Sequence, residues 1–510
     1  MIQCALFNSL KRISMTIIIV SLGLSLTSCS QDNTSNVQNI NPEEFAMSRW
    51  YSRIEPSANS SIEVFNENNQ PLSQATILIG LKEGQPFPGN IFQTDSNGIV
   101  NIPADLWVSA AHVTIDAPGY IRQTLLNQLP GLLQIKLKKT YLYPKAIVKG
   151  EVTQLPIENK DKMMDFGIVI PAVTKADFIG FSLDSVISPI DDKITVIGNE
   201  VKIPTNVSLP KQKESYILPI TLEKPEHRVF VNQYGPKTFF ALTGRFPFKP
   251  VVSELKDGKK FYEVLNLFDF TSGSLRDHNV AGPVSILNLP AGEIKFNSLA
   301  NVKGASIMSD EVQVTMALNS ISGKLVPSDV KRISAKETLE LKTVANKPVY
   351  IVSLLKKQND FNPMLIEADQ TSASILLYES KGLQTTLLPL INPPVVEKNN
   401  GSITVRLPSV STETSNKAQV YPIALSAIIS NLIEIKDGNE VVIIEDRQWE
   451  IIGNQWPNEF ILPSLPIKNQ PGQRRKIDIN LIGSNNQSEV NLGDDLINAA
   501  THFTHSAAEL

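Results

Sequence analysis

The feature that most constrains the fold of this chain is an alternation of apolar and polar residues that recurs along its length. In the segment LQIKLKK, Leu133, Ile135 and Leu137 fall on one face of an extended chain and polar residues fall on the other. The same period of two recurs in HVTID, GEIKFN, EVQVTMALN, TLELKTV, SITVRL and KIDINLIG. Sustained helical periodicity is nearly absent, and the 33 prolines are scattered, as in chains with many turns and edge strands. The pattern predicts an all-β protein built from several β-sandwich domains in tandem.

Two other segments predict a turn and a possible helix. In NLIEIKDGNEVVIIED, two strand-like runs flank Asp437-Gly438, a dipeptide that favours a tight hairpin turn. The segment PVVSELKDGKKFYEVLNLF, from Pro250 to Phe268, has helical spacing but is interrupted by Asp257-Gly258. The sequence is equally compatible with a helix and with a hairpin over these residues.

The amino terminus has the layout of an export signal. In MIQCALFNSLKRISMTIIIVSLGLSLTSC, Lys11 and Arg12 precede an apolar run from Met15 to Leu26. This run is shorter than the roughly 20 residues that a membrane-spanning helix needs. A short apolar run behind basic residues is typical of a secretory signal peptide, which we predict over residues 1–28.

The predicted signal peptide ends in Leu26-Thr27-Ser28-Cys29, which resembles the lipobox of bacterial lipoproteins. The resemblance implies cleavage between Ser28 and Cys29, a diacylglycerol on the Cys29 thiol and an acyl chain such as palmitate on the new amino group. The alternative is a secreted protein with a chance cysteine. Because Cys4 leaves with the signal peptide, Cys29 would then be a lone thiol in an oxidising compartment.

The segment after the lipobox is predicted to be a tether. Residues 29–60 are mostly polar and have no sustained period, so we expect them to connect the lipid on Cys29 to the folded body. Docking of Trp50 and Tyr51 onto the first domain is the alternative. Ser30 stands where many Gram-negative lipoproteins carry aspartate as an inner-membrane retention signal. The resemblance therefore implies the outer membrane, and the sequence is compatible with either of its leaflets.

The first folded segment resembles a known β-sandwich family. SIEVFNENNQPLSQATILIG runs through a strand, the Pro71-Leu72 turn and a second strand, and FQTDSNGIVNIP and HVTIDAPGYIRQT follow. This order resembles the carboxypeptidase-regulatory-like family, a small transthyretin-like or immunoglobulin-like β-sandwich that is common in bacterial envelope proteins. The resemblance covers about residues 61–140. We predict further β-rich domains over residues 141–300, 301–400 and 401–510.

The stretch TDSNG raises the question of a calcium site. Asp95 and Asn97 match the first and third positions of an EF-hand loop, but the sixth position is Val100 and the twelfth is Leu106. An EF-hand needs glycine and a bidentate glutamate at those positions. We therefore predict a structural turn, in which Asp95 caps the backbone and Asn97-Gly98 supply the positive φ angles.

The last residues are predicted to form a strand at the edge of the final domain. DLINAATHFTHSA has alanines that suit a short helix and Thr, Phe and Ile residues that suit a strand. The strand is favoured because the sheet lacks a partner without it. His502 and His505 would then point to opposite faces of an edge strand and could not share a metal ion.

The chain carries no recognisable catalytic motif. None of its five histidines has glutamate three residues later, as a carboxypeptidase-type zinc site requires, and Gly-x-Ser-x-Gly does not occur. Ser253 and Lys256 match Ser-x-x-Lys, a spacing expected by chance. The adjacent carboxylates at 191–192 and 494–495 are typical of solvated turns. We predict no catalytic residue, metal site or cofactor. The sequence does not exclude a pair of catalytic carboxylates that meet only in the folded chain.

Charge and composition limit the classes of molecule that this protein is expected to bind. Removing residues 1–28 changes the net charge from −4 to −6, and no Lys/Arg cluster follows, so we exclude nucleic acid as a partner. The tryptophans are too few to indicate a glycan platform: Trp50, Trp107, Trp449 and Trp456. The leading hypothesis is a non-catalytic envelope lipoprotein that binds or scaffolds an envelope protein or glycan. The alternatives are an envelope hydrolase or carbohydrate-active enzyme, and a passive spacer.

Overall fold

A computed structural model describes most of the chain beyond the predicted tether. The described residues are 52–54, 60–81, 91–140, 146–156, 162–175, 191–196, 199–214, 220–231, 234–358, 372–399, 402–437, 440–463, 474–486, 490, 492 and 494–510. Ser28, Cys29, Trp50 and Tyr51 lie outside them, so cleavage, lipidation and the docking of Trp50 and Tyr51 stay predictions.

Strands account for nearly all secondary structure in the described residues. The first group is β1 Ser52–Ile54, β2 Ser60–Asn66, β3 Thr76–Ile79, β4 Ile91–Gln93, β5 Ile99–Ile102, β6 Ala111–Asp116, β7 Arg122–Gln128, β8 Leu132–Leu137, β9 Ala146–Thr153, β10 Met163–Pro171, β11 Asp191–Val196 and β12 Asn199–Pro204. The second is β13 Val207–Glu214, β14 Ile220–Lys224, β15 Glu226–Val231, β16 Gly235–Pro247, β17 Asp269–Val280, β18 Val284–Ile286, β19 Leu289–Pro290, β20 Ile294–Lys295, β21 Ser298–Lys303, β22 Glu311–Ile321 and β23 Lys324–Ile333. The third is β24 Thr338–Thr343, β25 Val349–Lys357, β26 Ala373–Glu379, β27 Gly382–Gln384, β28 Val395–Asn399, β29 Ser402–Arg406, β30 Tyr421–Asp437, β31 Glu440–Asn454, β32 Glu459–Leu462, β33 Arg474–Ser484 and β34 His502–Glu509. The predicted all-β class is confirmed.

Helices are short, and two of them lie in the segment for which the sequence left two structures open. Helix α1 spans Phe248–Lys256 and helix α2 spans Phe261–Val264, followed by a 3-10 turn at Leu265–Leu267. Gly258 separates them with a φ of 89°, a left-handed conformation that glycine adopts without strain. Helix α3, Asp494–Ala499, precedes the last strand. No helix of the described residues is both long and apolar enough to span a membrane.

The first unit is a β-sandwich, as predicted for residues 61–140. One sheet has the order β1-β8-β2-β5, and the facing strands have the order β7-β6-β3-β4. Ile62 and Ile135 from the first sheet share a core with Ile77 and Ile115 from the second. Strand β1 pairs with β8, so Ser52–Ile54, which the sequence placed in the tether, is part of this sandwich. Membership of the carboxypeptidase-regulatory-like family stays a prediction.

The described body also contains three further pairs of stacked sheets and a separate two-stranded sheet, β11-β12. Strands β15-β9-β18 pack against β10, β16 and β17, where Val148 and Phe239 share a core. Strands β24-β21-β27 pack against β22 and β25, and strands β28-β29-β32 pack against β30, β31 and β33. Tandem β-sandwiches are therefore confirmed as the architecture.

One sheet of twelve strands runs through three of these sandwiches. Its order is β23-β22-β25-β26-β34-β33-β30-β31-β7-β6-β3-β4. It joins strands from the predicted units 61–140, 301–400 and 401–510. Hydrogen bonds between paired strands therefore connect these units directly. The exact limits of the domains stay a prediction.

The hairpin prediction is confirmed, and the prediction for the last strand is partly wrong. Strands β30 and β31 pair with Asp437 opposite Glu440, and the turn residues Gly438 and Asn439 lie outside the described residues. The segment DLINAATHFTHSA forms both predicted structures, helix α3 and then strand β34. Strand β34 pairs with β26 on one side and β33 on the other. It is an interior strand, whereas the sequence predicted an edge strand.

Candidate functional site

The TDSNG stretch forms the predicted structural turn. The Oδ1 atom of Asp95 accepts hydrogen bonds from the backbone N–H groups of Asn97 and Ile99, each at 2.9 Å. Gly98 has a φ of 73°, and a Cβ there would lie 2.6 Å from the Val64 carbonyl oxygen. Asn97 does not share the positive φ that the sequence predicted for both residues. The carboxylate therefore serves the backbone of the turn.

The other candidate residues do not assemble into one site. Ser253 is exposed on α1. The acidic pair at 191–192 lies in β11, and the pair at 494–495 begins α3, so neither is in the solvated turn that the sequence predicted. Trp107 and Trp449 are buried in the cores of the sandwiches, which removes them as glycan platforms.

The two terminal histidines point to opposite faces of β34, as their spacing predicts. His502 is buried, and its Nε2 lies 3.2 Å from the Thr386 hydroxyl and 3.1 Å from the Thr386 carbonyl oxygen. Burial lowers the pKa of His502 to about 4, so the ring is neutral at pH 7. His505 faces Asp478 on the adjacent strand, with 3.3 Å between Nε2 and Oδ1.

A set of seven ionisable groups lies on the His505 face of the twelve-stranded sheet. We call it the central charge cluster, and its members are Lys138, Glu445, Arg447, Glu450, Lys476, Asp478 and His505. The side chains meet because paired strands align residues of one face. His505 is opposite Asn480 on β33, and Asp478 is two residues away on the same face.

One half of the central charge cluster is organised around Lys476. Its Nζ atom lies 2.5 Å from Oε1 of Glu445 and 3.1 Å from Oδ1 of Asp478. Burial alone would lower the pKa of Lys476, but the two carboxylates raise it. The ammonium group therefore stays charged. Burial and the nearby Lys476 lower the pKa of His505, so that its ring is neutral beside Asp478.

The other half is organised around Glu450. Its Oε1 atom lies 2.7 Å from Nη1 of Arg447 and 3.3 Å from Nζ of Lys138. Burial would raise the pKa of Glu450, but the two cations lower it below its usual range. Lys138 follows strand β8, whereas Glu450 and Arg447 lie on β31. This contact joins the four-stranded sheet of the first sandwich, β1-β8-β2-β5, to the twelve-stranded sheet.

The central charge cluster is suited to holding strands together rather than to catalysis. Lys476 is shared by two carboxylates, and Glu450 is shared by two cations, so the charges are mutually neutralised. Asp446 has a pKa raised by burial to about 6, a value useful to a general acid. It is adjacent to Glu445 in a strand, so the two carboxylates point to opposite faces and cannot act on one substrate. Among the described residues, no group of three or more His, Cys, Asp and Glu side chains is placed to hold a metal ion.

The sequence contained only a partial signal for the central charge cluster. The alternation in KIDINLIG places Lys476, Asp478 and Asn480 on one face, which is the polar face of a half-buried strand. That face is covered in the folded protein, with Asn480 and Asp478 buried. The partners Glu450 and Lys138 come from segments distant in sequence, and no local pattern links them.

Comparisons with known proteins add no assignment. No family model matches the chain, and no curated protein is similar to it. Several solved structures are similar at a low level, among them the following two. The major pilin subunit BcpA of Bacillus cereus has 9% identity and a TM-score of 0.14, over 57% of this chain and 87% of that chain. Two B repeat units of the collagen binding protein of Staphylococcus aureus have 10% identity and a TM-score of 0.13, over 84% of this chain and 93% of that chain. TM-scores this low carry no argument, so the fold class rests on the strands themselves.

Proposed function

We propose that this protein is a lipid-anchored, non-catalytic component of the bacterial envelope that binds or scaffolds another envelope molecule. The observation that carries the proposal is the Leu26-Thr27-Ser28-Cys29 run behind a short apolar segment. Cys29 is the only cysteine of this sequence that remains after cleavage, and attachment of a lipid accounts for a thiol that has no disulfide partner. Ser30 favours the outer membrane over the inner membrane, by the lipoprotein resemblance.

The arrangement of the body supports a binding role over a catalytic one. β-Sandwiches present loops at their ends, where recognition can vary without disturbing the core. The ionisable groups of the central charge cluster neutralise one another, and this favours a structural role for them. The partner class that fits a mildly acidic envelope module is a protein or a glycan, and we propose a carboxypeptidase-regulatory-like domain over residues 61–140.

Metabolic labelling with palmitate tests the anchor. The natural chain, expressed in a Gram-negative host, should incorporate the label and fractionate with the outer membrane. Cys29→Ala should abolish incorporation, whereas Cys4→Ala should label like the natural chain, because Cys4 lies in the predicted signal peptide. Equal labelling of the natural chain and Cys29→Ala would refute the proposal.

A further inference from the structure

Strand β18, Val284–Ile286, lies at the edge of the sheet β15-β9-β18 in the second sandwich. It pairs in parallel with β9, and none of the described strands pairs with its other side. The residues that flank it bond β9. The Pro283 carbonyl oxygen accepts a hydrogen bond from the N–H of Ile147 at 2.9 Å, and the N–H of Leu287 donates to the Lys149 carbonyl oxygen at 2.8 Å.

The backbone of β18 therefore has two residues whose hydrogen-bonding groups face away from β9. Alternate residues of a strand direct their N–H and C=O groups to opposite sides. Because Pro283 and Leu287 bond β9, Ser285 faces β9 as well, and the backbone groups of Val284 and Ile286 face outwards. We call the outward groups of these two residues the open edge. Such a row of donors and acceptors is a template on which another extended chain pairs.

The side chains of the open edge are apolar and exposed. Val284 is 57% exposed and Ile286 is 59% exposed. Two residues apart in a strand, they lie on the same face. The Ser285 side chain points to the opposite face, where its hydroxyl lies 2.5 Å from Nε2 of His278. The open edge is therefore apolar on the outer face of its sheet.

The open edge also lacks the charged residues that other edge strands carry. Strand β24 contains Glu340, and strand β28 contains Glu397 and Lys398. Charged side chains at a sheet edge oppose pairing between sheets of different molecules. Strand β18 has the sequence Val-Ser-Ile and carries no charge. Pairing along the open edge therefore meets no opposing charge from β18 itself.

The spacing of the open edge is self-complementary. When two copies of β18 run antiparallel about a two-fold axis at Ser285, Val284 of one copy is opposite Ile286 of the other. Both residues direct their backbone groups towards the other copy, so each such pair can exchange both of its N–H···O bonds. The apolar side chains of both copies then lie on one face and pack across the axis. A contact of this kind uses the same surface on both subunits and closes on itself.

We propose that the open edge pairs with the open edge of a second copy of this chain, in an antiparallel ladder centred on Ser285. Two copies of the sheet β15-β9-β18 then form one continuous sheet. Because the ladder is short, pairing is favoured where the chains are concentrated together, as on one membrane. The ladder itself consists of protein groups alone and does not require the proposed lipid anchor.

Disulfide trapping tests this pairing. A chain that begins at Ser30 has no cysteine, so each variant of it carries a single thiol. Ser285→Cys places the thiols of two copies opposite each other at a non-hydrogen-bonded position, where Cα atoms are about 4.5 Å apart. A disulfide spans such a separation. Val108→Cys and Leu299→Cys are the controls, because Val108 and Leu299 are 65% and 50% exposed and lie outside β18.

With copper phenanthroline as oxidant, Ser285→Cys should form a covalent dimer and the two controls should stay monomeric. Adding Ile286→Pro to Ser285→Cys removes an outward N–H and no bond to β9, so the dimer should be lost. Ile286→Lys in the same chain keeps the backbone, adds a charge at the edge and should also suppress the dimer. Equal cross-linking at the three cysteine positions, no dimer at position 285, or a dimer undiminished by Ile286→Lys would overturn the inference. Since this chain lacks Cys29, the result is independent of lipidation.

Discussion

His227 provides a sharp test of how the second sandwich is packed. It lies in β15, its side chain is fully buried, and neither ring nitrogen has a hydrogen-bond partner in the described structure. Its pairing partner on β9 is Gly150. Burial, followed by the charge of Lys224, lowers the pKa of His227 to about 4 from an ordinary value of 6.5. The native protein therefore holds this ring neutral through a range of pH in which the unfolded chain would protonate it.

The magnitude follows from the two pKa values. Between pH 6.5 and about 4, the unfolded state binds a proton at this position that the native state does not bind. The stability that His227 contributes is thus complete above pH 6.5 and is lost as the pH falls towards 4. Each pKa unit corresponds to about 1.4 kcal/mol, so the total loss is about 3 kcal/mol. Below pH 4 both states bind the proton, and His227 causes no further loss.

Urea unfolding of the natural chain and of His227→Phe, from pH 7.5 to pH 4, measures this effect. Phe supplies an aromatic ring that cannot be protonated, so between pH 7.5 and pH 4 the variant should lose about 3 kcal/mol less stability than the natural chain. His278→Phe is the matched control, because His278 is only partly buried and its Nε2 lies 2.5 Å from the Ser285 hydroxyl. If the natural chain and His227→Phe lose stability in parallel, His227 is not held neutral and the packing described for it is wrong.

Three further predictions concern the turns and sheets. Gly98→Val should destabilise the first sandwich by roughly 1–3 kcal/mol in thermal unfolding, because valine is strained at positive φ, and added calcium should leave the melting temperature unchanged. Deleting residues 497–510 removes β34 from the middle of the twelve-stranded sheet, so limited proteolysis should cut the carboxy-terminal strands rapidly. Proteolysis at the natural rate would contradict that placement. Lys138→Met should destabilise the protein by less than the roughly 3–5 kcal/mol that breaking a fully buried ion pair costs, since Glu450 keeps its contact with Arg447, and adding Glu450→Gln should deepen the loss because it weakens that remaining contact.

Local chemistry was sufficient to predict the strands and turns. Alternation in LQIKLKK and KIDINLIG predicts β8 and β33 because a strand with one buried face must repeat its apolar residues every second position. The Asp95 turn and the pairing of β30 with β31 were predictable because each depends on a few residues that are close in sequence. These features depend on neighbours that are close along the chain.

The pairing of distant strands could not be predicted in the same way. The parallel pairing of β31 with β7 places Trp449 beside Arg122, whose guanidinium lies 4.9 Å from the ring centroid. The Trp449 Nε1 atom also donates to the Thr124 hydroxyl, at 2.9 Å. Alternation indicates which face of a strand is buried, but not which other strand lies beside it. For the same reason, the interior position of β34 and the assembly of the central charge cluster were not evident from the sequence.

The most direct test of the central claim is the mass of the mature amino-terminal peptide, purified from envelope membranes and measured by mass spectrometry. We predict a peptide that begins at Cys29 and carries a diacylglycerol on the thiol and an acyl chain on the amino group. An amino terminus at any other residue, or an unmodified Cys29 on the membrane-bound protein, would contradict the account.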